Sequence, residues 1–354
     1  MNKLFSKLSN KMAKRLTIAF AIVAVLLAFF ILIFNFLTKS GYEVSTYSMG
    51  AHVQQTVYGR YAEETAELSA NEIAKLEDLI SWKIENSDIQ RLNQEAGKNF
   101  IEINEDTYKL LDLSLAVSQM SGGAFDITIA PLNRLWNFSD EPQLPDESLI
   151  KTILENVDYK KLSLLEDNTA ALQYSGMALD LDAVSNGAAC DKAIACYEAS
   201  KTPRAIVTVG TSVGVHGNKP FGEPWKIAVS NPLVSGSIGE VHIQSGFIST
   251  AGSYKEAFSE NDKIYHSILD PLTGFPAETG IASVTVWSKS GALSDALSNA
   301  CFVLGIEKSK LLLKEFGAQA IFIDTDKNIY YTEGFIDKFI LADDSFTVLS
   351  VLQF

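Results

Sequence analysis

Residues 265–276, YHSILDPLTGFP, gather a histidine, an acid, a threonine and two prolines in one short turn. Pro271 and Pro276 fix their own φ, and Gly274 is free to take φ above zero. The residues before each proline are pushed away from helix, so the turn is stiff. His266 and Asp270 lie four apart on an extended approach to it, within reach of one ligand if Ile268 and Leu269 hold the strand in the core. A packed proline turn with a hydrogen-bonded histidine accounts for the same residues without chemistry.

Four further segments carry groups suited to phosphate or metal chemistry. SGGAFDITIAPL, from Ser121, places two glycines at a helix end, where backbone can come close to a ligand, then sends Asp126 into a strand followed by Pro131. ALDLDAVSNGAACD, from Ala178, sets Asp180 and Asp182 on one face at strand spacing and turns at Asn186 and Gly187 into a helix, whose first N–H groups favour anions. VTVGTSVGVHG carries glycines at 210, 214 and 217. SDALSNA opens a helix with Asp295, Ser298 and Asn299 on one turn, an oxygen-rich set suited to Mg2+. Each also has a plainer reading, as helix caps, solvent-facing carboxylates or glycines that end helices. His52, His216 and His242 have no evident partners, and Trp136, Trp225 and Trp287 read as core.

Positioning such groups needs a real core. A chain of 354 residues with 47% apolar side chains can build one, as one large domain or two of ordinary size. The first forty residues stand apart: Lys3, Lys7, Lys11, Lys14 and Arg15 precede an apolar run over 16–37 in which only Thr17 and Asn35 are polar. About 20 such residues cross a bilayer as a helix, and neither the length of the run nor the following LTKSGYEV suits a cleaved signal peptide. The basic flank predicts a single-pass anchor over 1–40, with a cytoplasmic N-terminus and residues 41–354 outside a bacterial cell membrane. That exported part carries 23 basic and 43 acidic side chains, a net of −20. Nucleic acid is excluded as a natural partner, and a phosphate ligand needs a metal or backbone N–H groups. Cys190, Cys196 and Cys301 lack metal-type spacing and read as buried thiols.

Periodicity predicts strands within 42–58, a helix over 62–84, a short helix capped by Ser87, a helix over 106–120 and another over 147–156 after a proline-containing loop. Short strands follow at 159–164, 170–174 and 178–181, then a helix over 186–200. From there strands dominate, at 205–209, 212–216, 225–230, 240–244, 246–248 and 264–268, with turns at GNKPFGEP and NPLVSGSIG. A strand at 281–287 leads to helices near 293–304 and 307–316 and a last hairpin over 318–331. This order implies an α+β domain with mostly antiparallel sheets rather than a doubly wound one.

Taken in order, these segments resemble the ApbE-type flavin transferase family along nearly the whole exported part. SMGAHVQQTVYG is similar to its opening Met-Gly strand, SDIQRLN to its Ser-Asp-Ile segment, and GGAFDITIAPLNRLWNF to its Gly-x-Phe-Asp-x-Thr-x-x-Pro-Leu-x-x-Leu-Trp block. YHSILDPLTGFP is similar to its signature His-x-Ile-Asp-Pro-x-Thr-Gly-x-Pro, and SDALSNACFVLG to its Ala-Asp-Ala-x-x-Thr helix. The resemblance implies an ApbE-like domain that binds FAD, cleaves its pyrophosphate with Mg2+ and attaches FMN to a threonine or serine hydroxyl of an exported flavoprotein, releasing AMP. It further implies that Met49, Ala124, Phe125, Asp126, Asp180 and the Leu269 backbone contact the flavin nucleotide, with Asn186 standing at the place of a family lysine. Asp295 and the Ala183 carbonyl, with Ser298 and Asn299 beside them, would bind Mg2+. His266 would take the proton of the incoming hydroxyl, since an imidazole titrates near the working pH. Phosphoryl transfer needs alignment and charge neutralisation more than covalent help, which a metal can supply on an acidic surface.

The chain departs from the family pattern at DLDAVSNG, where Asp182 and Ala183 replace two glycines and Asn186 a lysine. One positive charge is lost and one negative gained beside a pyrophosphate. TVGTS replaces an Asn-x-Gly-Gly turn, and Asn299 stands where a threonine is expected, although an amide oxygen also binds Mg2+. The alternatives are a relative that holds flavin or a partner protein without transfer, and an FAD pyrophosphatase. A cell-wall hydrolase using Asp180 and Asp182 as paired carboxylates has no further motif behind it.

Overall fold

The computed structural model describes residues 2–39, 41–219, 222–254 and 256–353. The helix Asn2–Lys39 contains one stretch, Lys14–Phe34, that is long and apolar enough to cross a membrane; anchors and signal sequences share that length and composition. The boundary expected at residue 40, and Pro220 and Phe221 of the GNKPFGEP turn, lie outside the described residues.

Beyond that helix, nine strands form one sheet. In spatial order they are Gly41–Ser48, Ala51–Tyr58, Arg204–Val209, Ser212–His216, Gly246–Gly252, Ile281–Ser288, Gln319–Asp324, Asn328–Thr332 and Thr347–Leu352. Every neighbouring pair is antiparallel except the last, which is parallel. The period-2 alternation sends side chains to two different cores. Ala320 and Phe322 face a cluster with Ala292, Ala296 and Leu297 of the helix Gly291–Glu315, whereas Ile321 and Ile323 face one with Trp225, Ile227 and Val241. The second cluster is closed by a three-stranded sheet of Trp225–Ser230, Ser237–Ile243 and Phe339–Leu341. This is the mostly antiparallel α+β architecture expected.

Two helices, Asp182–Ala199 and Gly291–Glu315, cover one face and cross at Gly187 and Gly291, where a Cβ on either residue would strike the other's carbonyl. Asp191 locks the crossing. It accepts the Gly291 N–H (2.7 Å), the Ala292 N–H (3.0 Å) and the Ser290 hydroxyl (2.9 Å), so one helix caps the other's N-terminus. The strand Gly41–Ser48 leaves the apolar helix and runs about 25 Å before the Met49–Gly50 turn. Near that turn lie the Gly210 turn, whose Cβ position faces Ala51 and Asn186, and the start of the Asp182–Ala199 helix.

Several expectations are corrected. Asp126 sits in a turn rather than a strand, and Pro131 lies in the first turn of the helix Ala130–Trp136, where a missing N–H is tolerated. Residues 178–181 contribute only an isolated bridge of Ala178 with Ile129, and the helix begins at Asp182 instead of 186, because Asp180 accepts the Asp182 N–H. The two carboxylates therefore flank a helix start and do not alternate along a strand. The two helices expected at 293–304 and 307–316 are both present within Gly291–Glu315, separated by a kink at Gly305, whose φ 72° and ψ 177° are not helical. Trp136 and Trp225 are buried as expected, but Trp287 is half-buried. All three cysteines are free and buried.

Candidate active site

A cavity of about 320 Å3 opens where the Asp182–Ala199, Gly291–Glu315 and Ala130–Trp136 helices converge. Its lining includes Asp180, Asp182, Ala183 and Asn299, together with Trp82, Lys83, Asn133, Arg134, Glu256, Ser267 and Ile268. Asp180 is buried and fully engaged: Oδ2 accepts from Asn133 Nδ2 (2.9 Å) and Oδ1 from the Asp182 N–H (2.9 Å). The Asp182 side chain opens to the cavity's solvent, yet it stands among dense protein. Desolvation there raises its carboxyl to about 7, with the Asp180 and Glu256 charges adding to the rise and Lys83 opposing it. The cations of Arg134 and Lys83 lie over the Trp82 ring, 5.0 and 5.3 Å from its centroid. The Trp82 indole N–H is buried with no partner among the described residues. Cations and an unsatisfied donor thus share the cavity with two carboxylates, so it can hold an anion and a cation together.

Asp295 is buried, and its Oδ2 accepts the Gly187 N–H at 2.5 Å while Oδ1 accepts the Ser212 hydroxyl. A regular helix gives the Gly187 N–H to the Ala183 carbonyl, so that carbonyl shares or loses its donor. Ser298 Oγ and Asn299 Nδ2 both donate to the Asp295 carbonyl (2.9 and 3.1 Å), which leaves the Asn299 amide oxygen as an acceptor at the cavity. Ala183 and Asn299 reach the cavity, whereas Asp295 and Ser298 do not line it. Among the described residues no three His, Cys, Asp or Glu side chains are grouped to hold a metal, so a cation here would need main-chain and amide oxygens as well.

His266 ends the strand Lys263–His266 and is buried edge-on against Phe302 (5.4 Å between centroids). The Ala277 carbonyl lies 3.1 Å from Nε2, which fixes the neutral ring with its proton on Nε2. Nδ1 then carries the lone pair, and it is buried without a partner among the described residues. Burial lowers the His266 pKa, against the Ala277 hydrogen bond and the Glu278 charge. His266 and Asp270 do not converge as expected on one ligand. Asp270 Oδ1 accepts the Leu272 N–H (2.9 Å) and shapes the turn, which Trp136 braces from below by donating Nε1–H to the Gly274 carbonyl (2.9 Å). Asp270 N–H to Phe275 and Ala277 N–H to Ile268 close this turn, so the Leu269 main-chain groups point away from it.

His266 lies behind the cavity wall formed by its neighbours Ser267 and Ile268, and the remaining expected residues also lie off the cavity. Asp126 is buried with Oδ1 accepting both the N–H and the hydroxyl of Thr128 (2.7 Å each) and Oδ2 the Tyr159 N–H (2.8 Å); burial raises its pKa despite these donors. Ala124 and Phe125 are buried beside it. Met49 takes φ 56°, a strained value for a side chain of this kind, and lies against both cores on that face of the sheet. Asn186 faces the Gly210 turn, with Oδ1 buried and unpartnered among the described residues. Sequence reasoning missed Trp82, Lys83 and Glu256. Asn133 and Arg134 lay inside the PLNRLW segment, whose helical spacing puts neighbouring residues on different faces.

The ApbE family matches residues 49–322. The chain is 31% identical to the FAD:protein FMN transferase of Treponema pallidum over 291 residues, covering 77% of this chain and 80% of that protein. The crystal structure of the ApbE protein from Thermotoga maritima superposes with a TM-score of 0.77 at 28% identity, covering 84% of this chain and 99% of that one. The apo flavinyl transferase ApbE of Pseudomonas stutzeri gives a TM-score of 0.73 at 25% identity, covering 85% and 94%. With this coverage in sequence and in fold, the chain belongs to the ApbE family.

Proposed function

We propose that this protein is an FAD:protein FMN transferase. Its family and curated relatives support that activity. The observation that carries it to this chain is the cavity in which Lys83, Arg134 and the Trp82 indole N–H share a lining with Asp180, Asp182, Ala183 and Asn299. A dinucleotide pyrophosphate needs cations for its oxygens, and the loss of a lysine at 186 is offset by Lys83 and Arg134.

In the reaction an acceptor hydroxyl forms a P–O bond to the flavin-side phosphorus, the P–O bond to the adenylate breaks, and AMP leaves with the electron pair. His266 is the base, taking the hydroxyl proton at Nδ1, the ring nitrogen left free by the Ala277 contact. Asp295 holds the Gly187 N–H and so keeps the two helices in register. The Ala183 carbonyl and the Asn299 amide oxygen, which reach the cavity, are hard donors that would hold Mg2+, while the Asp295 carboxylate, with the Ser298 hydroxyl beside it, lies behind them and would have to exchange its Gly187 and Ser212 donors to join. When bound there, Mg2+ supplies neutralisation of pyrophosphate charge. Met49, Ala124, Phe125, Asp126, Asn186 and the Leu269 backbone belong to the flavin site in this reading, Asp126 by shaping the Thr128–Tyr159 turn.

The apolar N-terminal helix is read as a single-pass anchor that keeps the catalytic domain outside the cell membrane, where exported flavoproteins are the acceptors. Incubating the full-length chain in detergent with FAD, Mg2+ and a threonine-containing exported flavoprotein tests the activity. FMN on the acceptor matched by AMP, both lost with EDTA, supports it, and an unlabelled acceptor from a folded chain would sink it.

A further inference from the structure

The strands Ala257–Glu260 and Lys263–His266 form a two-stranded hairpin that runs from the cavity wall at Glu256 to His266. Ala257 pairs with His266, Phe258 with Tyr265, Ser259 with Ile264 and Glu260 with Lys263. The Ser267 N–H donates to the Glu256 carbonyl (2.9 Å), which makes 256 and 267 a hydrogen-bonded pair. Antiparallel ladders alternate, so 258 with 265 and 260 with 263 are hydrogen-bonded pairs too. The N–H and C=O groups of Ala257 and Ser259 therefore point off the other edge of the hairpin. That edge carries no third strand among the described residues, and Ala257 and Ser259 are exposed.

The rest of the hairpin is held. Phe258 stacks on Tyr265 (5.3 Å) and meets Phe138, which lines the cavity, at a tilt (5.6 Å), and Lys263 pairs with Glu278. The open edge is thus a fixed template whose foot is the cavity. It spans four residues, about 13 Å, enough for a few main-chain hydrogen bonds but far short of the area a stable dimer needs. Its geometry fits an extended segment better than a second copy of the chain.

We propose that the acceptor protein docks by adding its threonine-bearing segment as a third strand along Ala257 and Ser259, which guides the hydroxyl into the cavity. The inference rests on the transferase reading above. Ala257→Pro and Ser259→Pro remove outward donors only, a change that edge strands tolerate. The probe is a library of nine-residue peptides with one central threonine, labelled by the full-length chain in detergent with FAD and Mg2+ and read by flavin fluorescence. Each variant is expected to lower kcat/KM for labelling about three- to tenfold through KM, with FAD affinity unchanged. On the unaltered chain, peptides N-methylated at alternate positions beside the threonine should label at least tenfold less in one of the two phases of methylation. Labelling within twofold of the parent for both variants, or indifference to N-methylation in both phases, would overturn the docking mode. So would AMP release without any labelled peptide, because an added strand needs no folded partner. Absence of both products with the peptides overturns the docking mode alone when a folded exported flavoprotein is still labelled, and the transferase reading falls with it only when that flavoprotein also yields neither FMN labelling nor AMP.

Discussion

Gly187→Ala is the substitution that most directly probes how the fold assembles the site. The added methyl would lie on the Gly291 carbonyl of the facing helix, a backbone atom that cannot swing aside. The helices cannot part freely, because Asp295 holds the Gly187 N–H and Asp191 holds the Gly291 and Ala292 N–H groups. Overpacking of this kind costs about 1–3 kcal/mol. Stretching the Gly187 N–H bond to the buried carboxylate adds about 1.5–3 kcal/mol. The sum, roughly 3–6 kcal/mol, is a large share of the stability of an ordinary domain and corresponds to a fall in Tm of about 6–20 °C. Differential scanning calorimetry of the full-length chain in detergent reads it, with Gly280→Ala as the comparison, since Gly280, unlike helical Gly187, has a positive φ but open space around its Cβ position, so it reports backbone strain without overpacking. If Gly187→Ala melted within about 2 °C of the unaltered chain, the helix crossing would not be the rigid joint described, and the placement of Asp295 against Gly187 would be wrong.

Other perturbations have equally definite outcomes. His266→Gln should leave FAD affinity within threefold while lowering transfer about 10²–10⁴-fold, and the parent's rate should rise with pH through an apparent pKa below the usual histidine value; a rate that falls with pH over that range contradicts the assigned base. Asp182 has a folded pKa raised above its unfolded value, so its contribution to stability is present in acid and is lost as pH climbs from about 4 to about 7. Asp182→Asn should therefore gain Tm over the parent across that window and hold the gain above it. Its exposure limits the effect to under about 1 kcal/mol, and a gain confined to acid would refute the sign. Asp295→Ala leaves the Gly187 N–H and Ser212 hydroxyl without their acceptor and should cost about 2–4 kcal/mol in denaturant unfolding, together with Mg2+-dependent AMP release. Arg134→Ala should weaken FAD binding about tenfold or more by fluorescence titration, and unchanged affinity would remove it from the phosphate site.

Much of the fold was legible because its elements announce themselves locally. Ser87 does cap the helix that follows it, the Met49–Gly50 turn joins two alternating strands, and Gly122 and Gly123 follow a helix that ends at Met120. The strand Thr347–Leu352 was not legible: nearly all of its residues are exposed at a sheet edge, so no core imposes alternation. The helix start at Asp182 depends on the Asp180 carboxylate two residues earlier and on the approach of Gly291 from over one hundred residues away, which no periodicity records. The site divides in the same way. Asp180, Ala183 and Asn299 lie in motifs and reach the cavity, whereas Trp82, Lys83 and Glu256 reach it only because chain folding brings a helix–helix connection and a hairpin base to the same place. Asp126 and Asp270 carry strong sequence signals for a different reason, since each carboxylate satisfies the main-chain donors of the turn it occupies.

The most direct test of the central claim is the intact mass of a purified, threonine-containing exported flavoprotein after incubation with the full-length chain, FAD and Mg2+, with AMP measured in the same tube. A mass gain of one FMN matched by one AMP is expected, both abolished by EDTA and by His266→Gln. AMP without acceptor labelling would mark a pyrophosphatase. Neither product from a chain that is folded and holds FAD would mark a binding module and rule out FMN transfer.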